Sequence, residues 1–177
     1  MEAEFKVLSM MELRSSPGDI LDRVYKNGEA FIIERNGQQK ACLVPITHFA
    51  PDIPKNRIND ELDALHEKGE ESILRLSSER ELEIIFKENI KNIEVTIKII
   101  LPHGYPNVSP RVYVSPVNVN APHRWQDGAL CIFGAGVNWN PGKHNSVYIL
   151  EQARKWLSHY KNWCETGQWQ LQKEDDL

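Results

Sequence analysis

The sequence predicts an α+β protein built in two parts. Residues 93–99 carry the sheet signal: Ile93, Val95, Ile97 and Ile99 alternate with Glu94, Thr96 and Lys98, the pattern of a strand with one wet face. Helical patterns lie before and after the main run of strands rather than between its members, which favours α+β over a parallel α/β design. Pro51-Asp52-Ile53-Pro54-Lys55-Asn56 is rich in structure breakers and reads as a linker. The expected organisation is a small module at 1–50, the linker at 51–56 and a domain at 57–177.

The chain has 177 residues, 41% hydrophobic and 26% charged, which suits globular folding and excludes disorder. A net charge of -4 gives no overall basic signature for nucleic acid and leaves only a local patch for that role. No apolar run approaches the ~20 residues that span a bilayer, so no membrane partner is expected. The opening residues MEAEFKVLS hold no apolar stretch of the signal-peptide kind, which points to a cytoplasmic protein. Cys42, Cys131 and Cys164 are odd in number and widely spaced. They match no zinc pattern and read as free thiols of a reducing compartment. No metal and no cofactor are expected.

In chain order, residues 5–8 read as a short strand. Ser9, with Glu12 three positions on, has the spacing of a capping box and starts a helix. Ser16-Pro17 starts a second, with Ser at the N-cap, Pro in the first helical position and Asp19 in the first turn. Ile20, Leu21 and Val24 form its apolar face. Asn27-Gly28 ends it, because Gly takes the left-handed conformation at little cost. Residues 30–35 and 40–44 read as strands joined by the hairpin turn Asn36-Gly37. A unit this short buries little core, so it is expected to dimerise or to lean on a partner.

The stretch SMMELRSSPGDILDRVYKNGEAFIIERNGQQKACLVPI resembles the DNA-binding half of Phd/YefM-type antitoxins. The likeness spans residues 5–50: a Ser-x-x-Glu-x-Arg start, the Asn-Gly helix end, and an Arg-Asn-Gly hairpin leading to Leu-Val-Pro. It implies a small α/β module that forms a homodimer and grips operator DNA, with Arg14 at the first helix and Arg35 at the hairpin as contacts. Arginine suits this work because its planar fork pairs with phosphate or guanine. Glu12 and Glu34 dilute the patch. The toxin-wrapping tail of that family has no counterpart here.

Residues 57–68 read as a helix with Ile58, Leu62 and Leu65 on one face, stopped by Gly69. Residues 72–77, 81–87, 93–99 and 111–115 read as four strands of an antiparallel meander. Tyr105-Pro106, Pro110, Pro116 and Pro122 keep the following chain stiff and extended. Gly128-Ala129-Leu130-Cys131-Ile132 sets a thiol beside apolar residues. Residues 145–162 read as a helix with Ile149, Leu150, Ala153, Trp156, Leu157 and Tyr160 inward. Gly167-Gln168-Trp169 and the polar tail QLQKEDDL close the chain, the tail being expected to fray. Cys42 reads as a core residue of its strand, and Cys164 as a structural residue after the last helix.

This order resembles the catalytic domain of ubiquitin-conjugating enzymes, over residues 57–163. Three spacings match: Tyr105-Pro106 with Pro110, Gly-x-Leu-Cys-Ile ending at Ile132, and Trp139-Asn140-Pro141 after the cysteine. The resemblance implies the ubiquitin-conjugating-like fold: helix, four-strand antiparallel meander, active-site loop, helix. The family's His-Pro-Asn triplet is here Ala121-Pro122-His123, so His123 stands where the family has Asn. Divergent bacterial relatives lack the triplet in the same way.

The resemblance implies thioester exchange. Cys131, as thiolate, would take a ubiquitin-like modifier from an activating enzyme, and an acceptor amine on a protein substrate would then take it from Cys131. In place of the family's Asn, His123 would serve either as oxyanion donor or as base. Asp127 would orient His123 or the incoming amine, or would simply shape a turn. His144, just past Trp-Asn-Pro, would reach the site as an accessory group. Trp139 and Tyr105 read as packing. Glu61, Asp63, Glu67, Glu70 and Glu71 make the first helix acidic, where the family often docks its activating enzyme with a basic one, which implies a different partner surface. The leading reading is a bacterial conjugating enzyme in an anti-phage operon. The alternative is a DNA-binding antitoxin or transcriptional regulator whose second domain is a protein-binding module.

Overall fold

A computed structural model describes residues 4–90, 92–133 and 138–169. The polar tail expected to fray lies outside these residues. The chain divides into two compact units, Met1–Pro51 and Asp52–Leu177.

In the first unit, strand β1 (Phe5–Ser9) leads into helices α1 (Met10–Ser15) and α2 (Pro17–Asn27), then strands β2 (Ala30–Arg35) and β3 (Gln38–Leu43). β1 runs parallel to β2, and β2 antiparallel to β3. The Ser9–Glu12 capping box forms in both directions. Ser16 stands at the N-cap of α2, but its side chain makes no cap bond. That helix starts on Pro17, whose fixed φ is already helical. Asn36 and Gly37 are both left-handed, at φ 54° and 73°, as a twisted two-residue hairpin requires. Leu8, Ile20, Val24 and Phe31 form the core, with Leu13 and Leu43 against it. Cys42 is exposed, contrary to the expectation of a core position. Leu43 turns toward the cluster, so its neighbour on the strand turns away.

The second unit holds α3 (Lys55–Glu67), β4 (Ile73–Leu76), β5 (Leu82–Ile90), β6 (Ile93–Leu101), β7 (Arg111–Ser115) and α4 (Ser146–Thr166). The four strands form an antiparallel sheet in the order β4-β5-β6-β7. α4 packs on β6 and on α3, and Ile84, Phe86, Ile97, Ile99, Ile149, Leu150 and Ala153 are buried.

Three expectations need correction here. Ile93 is 57% exposed. It sits at the end of the β5–β6 hairpin and borders an open apolar cleft of about 330 Å³ with Val95, Leu157 and Cys164. α4 continues through Thr166, so Cys164 lies within the helix and is exposed rather than following it. The inner face of α3 keeps the expected Ile58 and Leu65, but the third buried residue is Glu61, and Leu62 is only half-buried. The acidic surface expected on this helix therefore loses Glu61 to the interior. It also loses Glu70, beyond the helix end, to a two-pronged bond from Arg154 at 2.6 and 2.7 Å.

Candidate active site

Cys131 follows a tight hairpin. The Trp125 N–H donates to the Ala129 carbonyl (2.8 Å) and the Gly128 N–H to the Trp125 carbonyl (2.9 Å), with Arg124 and Leu130 bridged beneath. Gly128 is left-handed at φ +87°, and a Cβ there would stand 2.7 Å from Arg124 Nη2. That approach is used: Arg124 Nε donates to the Gly128 carbonyl at 3.1 Å and Nη1 to the Asn118 carbonyl at 3.3 Å. The Leu130 N–H donates to Val112 (2.7 Å), which ties the hairpin to β7. Cys131 emerges half-buried, its N–H donating to the His123 carbonyl at 2.9 Å.

His123 meets Cys131 through its backbone. Its φ of +56° is left-handed, a conformation that costs a non-glycine residue about 1–3 kcal/mol. Neighbours hold it there. Its carbonyl also accepts from Trp156 Nε1 (3.1 Å), and its ring stacks on Trp169 with centroids 5.0 Å apart. Trp169 in turn sits against Trp156 and His159. Asp127 acts in the turn: its carboxylate accepts from the Ala129 N–H at 3.0 Å and from the Tyr113 hydroxyl at 3.2 Å.

After the cysteine, Phe133 enters an aromatic cluster. Its ring lies 5.3 Å from Trp139 and 6.2 Å from His144. Trp139 Nε1 donates to the Pro106 carbonyl at 2.6 Å and its ring meets Tyr105, so the Trp-Asn-Pro and Tyr-Pro motifs are locked together. His144 lies flat on Tyr148 at 4.2 Å, and its Nδ1 accepts the Asn140 N–H at 3.1 Å. Nε2 is then the protonated nitrogen of the neutral ring. Burial, and then Lys143, hold this imidazole below its ordinary pKa.

The structure thus gathers Cys131, the His123 backbone and, across Phe133, His144. Asp127 is engaged with Ala129 and Tyr113. Arg14 and Arg35 are exposed in the first unit, one in the last turn of α1 and the other at the end of β2. Sequence reasoning missed Trp156, Trp169, Arg57 and Glu61 as parts of this region. Glu61 had a legible signal, because it lies three residues after Ile58 and four before Leu65, on the same helical stripe. Among the described residues, no group of three His, Cys, Asp or Glu side chains could hold a metal, and no helix is long and apolar enough to cross a membrane.

The family model described as type II CBASS E2 protein matches residues 61–176. No curated protein matches. A solved chain from "A complex of the Vps23 UEV with ubiquitin" is similar at 13% identity, covering 60% of this chain and 85% of that one, with a TM-score of 0.40.

Proposed function

We propose a function from one premise: this chain belongs to the family of type II CBASS E2 proteins. The family brings a ubiquitin-like conjugation role in anti-phage defence, with a ubiquitin-like modifier and an activating enzyme as partners. On this reading Cys131 is the acceptor thiol. Its thiolate attacks the thioester carbonyl joining modifier and activating enzyme, the activating enzyme's thiolate leaves, and the modifier rests on Cys131. An acceptor amine on a protein substrate then attacks that carbonyl, loses a proton, and Cys131 leaves as thiolate.

The observation that carries the reading is the seating of Cys131: a half-buried thiol at the end of a hairpin anchored to β7 through Leu130 and to His123 through its own N–H. Such anchoring fixes the nucleophile without a metal or cofactor. His123 donates to the developing oxyanion or takes the amine proton, and His144 and Asp127 are accessory. Asparagine separates the two His123 roles, since it donates a hydrogen bond but does not titrate near neutral pH.

The first unit serves this cytoplasmic enzyme as a Phd/YefM-like homodimerising module that meets operator DNA through Arg14 and Arg35. Exposed Val7, Met11 and Leu21 support an interaction role for its surface. A charge reversal of both arginines should remove salt-dependent DNA binding and leave dimerisation intact.

Cys131→Ser, expressed with its neighbouring genes, should accumulate a stable oxyester to a small protein, read by intact mass. The wild type should carry the same adduct in thiol-sensitive form. If neither adduct forms with an activating enzyme present, the conjugating reading fails.

A further inference from the structure

Behind the Cys131 site lies a charged pair, Glu61 buried and Arg57 17% exposed, that the thioester reading leaves without a role. Glu61, in the second turn of α3, is 1% exposed. The Tyr105 hydroxyl and the Ser146 N–H both donate to its carboxylate, and Arg57 Nε lies 2.6 Å from Oε1. Arg57 spends its other nitrogens on the chain: Nη1 donates to the Pro141 carbonyl at 2.7 Å, and Nη2 to the His144 carbonyl at 2.6 Å and the Tyr105 hydroxyl at 2.9 Å. Its guanidinium also stands 5.2 Å from the centre of the Tyr105 ring. Burial works against the Arg57 charge, yet the Tyr105 bond and Glu61 leave its pKa above the ordinary value. Two residues of one helix thereby hold Tyr105, the 141–144 loop and the first residue of α4.

Burying two charges is costly unless each finds its partners, and an apolar pair of similar volume often gives an equal or better core. Stability alone therefore does not explain the arrangement. Its geometry does, because apart from Tyr105 every group it holds, Pro141, His144 and Ser146, belongs to the chain after the cysteine. The 139–144 segment supplies Trp139 and His144, and both rings flank Phe133, two residues past Cys131. The path is short and continuous: α3 to the loop carbonyls, the loop to its two rings, the rings to Phe133.

We propose that Arg57 and Glu61 are positioning residues of the Cys131 site, fixing the loop that carries Trp139 and His144 against the segment that follows the thiol. The role in transfer rests on the reading of Cys131 as acceptor thiol. The fixing of the loop does not.

The test uses the full chain with Arg57→Lys, which keeps a charge but cannot make the fork, and Glu61→Gln, which keeps the shape but loses the charge. Glu151→Gln, exposed on α4, is the control. Hydrogen exchange is followed at the Asn140 amide and the Trp139 indole, neither of which touches the pair. Both should exchange at least tenfold faster in Arg57→Lys, with β6 amides unchanged. Single-turnover loading should show a maximal rate at least tenfold lower, with half-saturation by the charged modifier unchanged. Alkylation of Cys131 by iodoacetamide should change its rate in the same variants and not in the control. Unchanged exchange at both reporters overturns the proposal. So does exchange that rises equally across β6, since the pair would then merely stabilise the unit. If the wild type fails to load, the conjugating reading falls, while exchange and alkylation still decide the clamp. If Glu61→Gln does not fold, Arg57→Lys alone decides it.

Discussion

Before Cys131 the chain is held largely by its own backbone: a hairpin closed at Trp125–Ala129, a left-handed Gly128, and a His123 carbonyl that takes the cysteine N–H. After it, the 139–146 stretch is held by side chains reaching across the fold, from Trp139 to Pro106 and from Arg57 and Glu61 to Pro141, His144 and Ser146. The two means respond differently to mutation. Main-chain bonds survive most side-chain changes and fail only where a residue type is required for its conformation. A charged pair is weakened when either partner is lost, because the survivor stays largely out of water without its counter-charge.

The largest effect should therefore lie behind the cysteine. Glu61→Ala should destabilise the chain by about 3–5 kcal/mol, read by urea unfolding. Replacing both residues, Arg57→Met with Glu61→Leu, should recover most of that loss while the loop stays loose. A double variant as unstable as Glu61→Ala would contradict the contrast. In front of the cysteine, Gly128→Ala should cost about 1–2 kcal/mol, mainly for its positive φ, since the end of Arg124 can swing aside. Gly128→Asn should cost less, because Asn tolerates the left-handed region. Trp156→Phe keeps the packing and removes one bond to the His123 carbonyl, so about 1 kcal/mol is expected.

The smallest effect is a pH dependence carried by two histidines of opposite sign. His144 has a folded pKa below its ordinary value, for burial first and Lys143 second. Its stabilising contribution is complete above the ordinary 6.5 and is lost as pH falls from there through the depressed folded value. His103 is raised, chiefly by its bond to Asp52, so its contribution is complete below 6.5 and is lost as pH rises through the raised folded value. Unfolding of His144→Gln and His103→Gln between about pH 5 and 8 should tilt away from wild type in opposite directions. A common direction would break the assignment.

Much of this architecture was legible in the sequence because it is local. Alternation gave β6, the capping box gave α1, Asn36-Gly37 gave the hairpin, and Gly28 closed α2 at φ 71°. The motif spacings brought attention to Cys131, Trp139 and Tyr105, and the structure joins the last two at 5.8 Å. What escaped depended on partners far along the chain. On the sequence Glu61 reads as part of an acidic partner surface, since carboxylates are seldom buried, and its partners Tyr105 and Ser146 lie 44 and 85 residues away. Ile93 matched the inward period, but α4 does not close the space over the end of its strand. Cys42 matched its strand's alternation too, yet period alone does not say which face is covered. His123 came to notice for its imidazole, whereas its contact with Cys131 is made by a carbonyl that no residue type announces.

Trp169 stands beyond the left-handed Gly167 that closes α4, where Gln168 bonds back to Asn162 and Thr166, and from there it covers the His123 ring. The centre built around residue 131 thus borrows a wall from a residue 38 positions downstream. A protease cut after Gly167, or a fusion partner grafted in place of Gln168 and Trp169, would leave the whole of α4 intact and still strip that wall away. Shortened versions of this protein that look properly folded by circular dichroism would then be expected to differ from the full chain at His123 first.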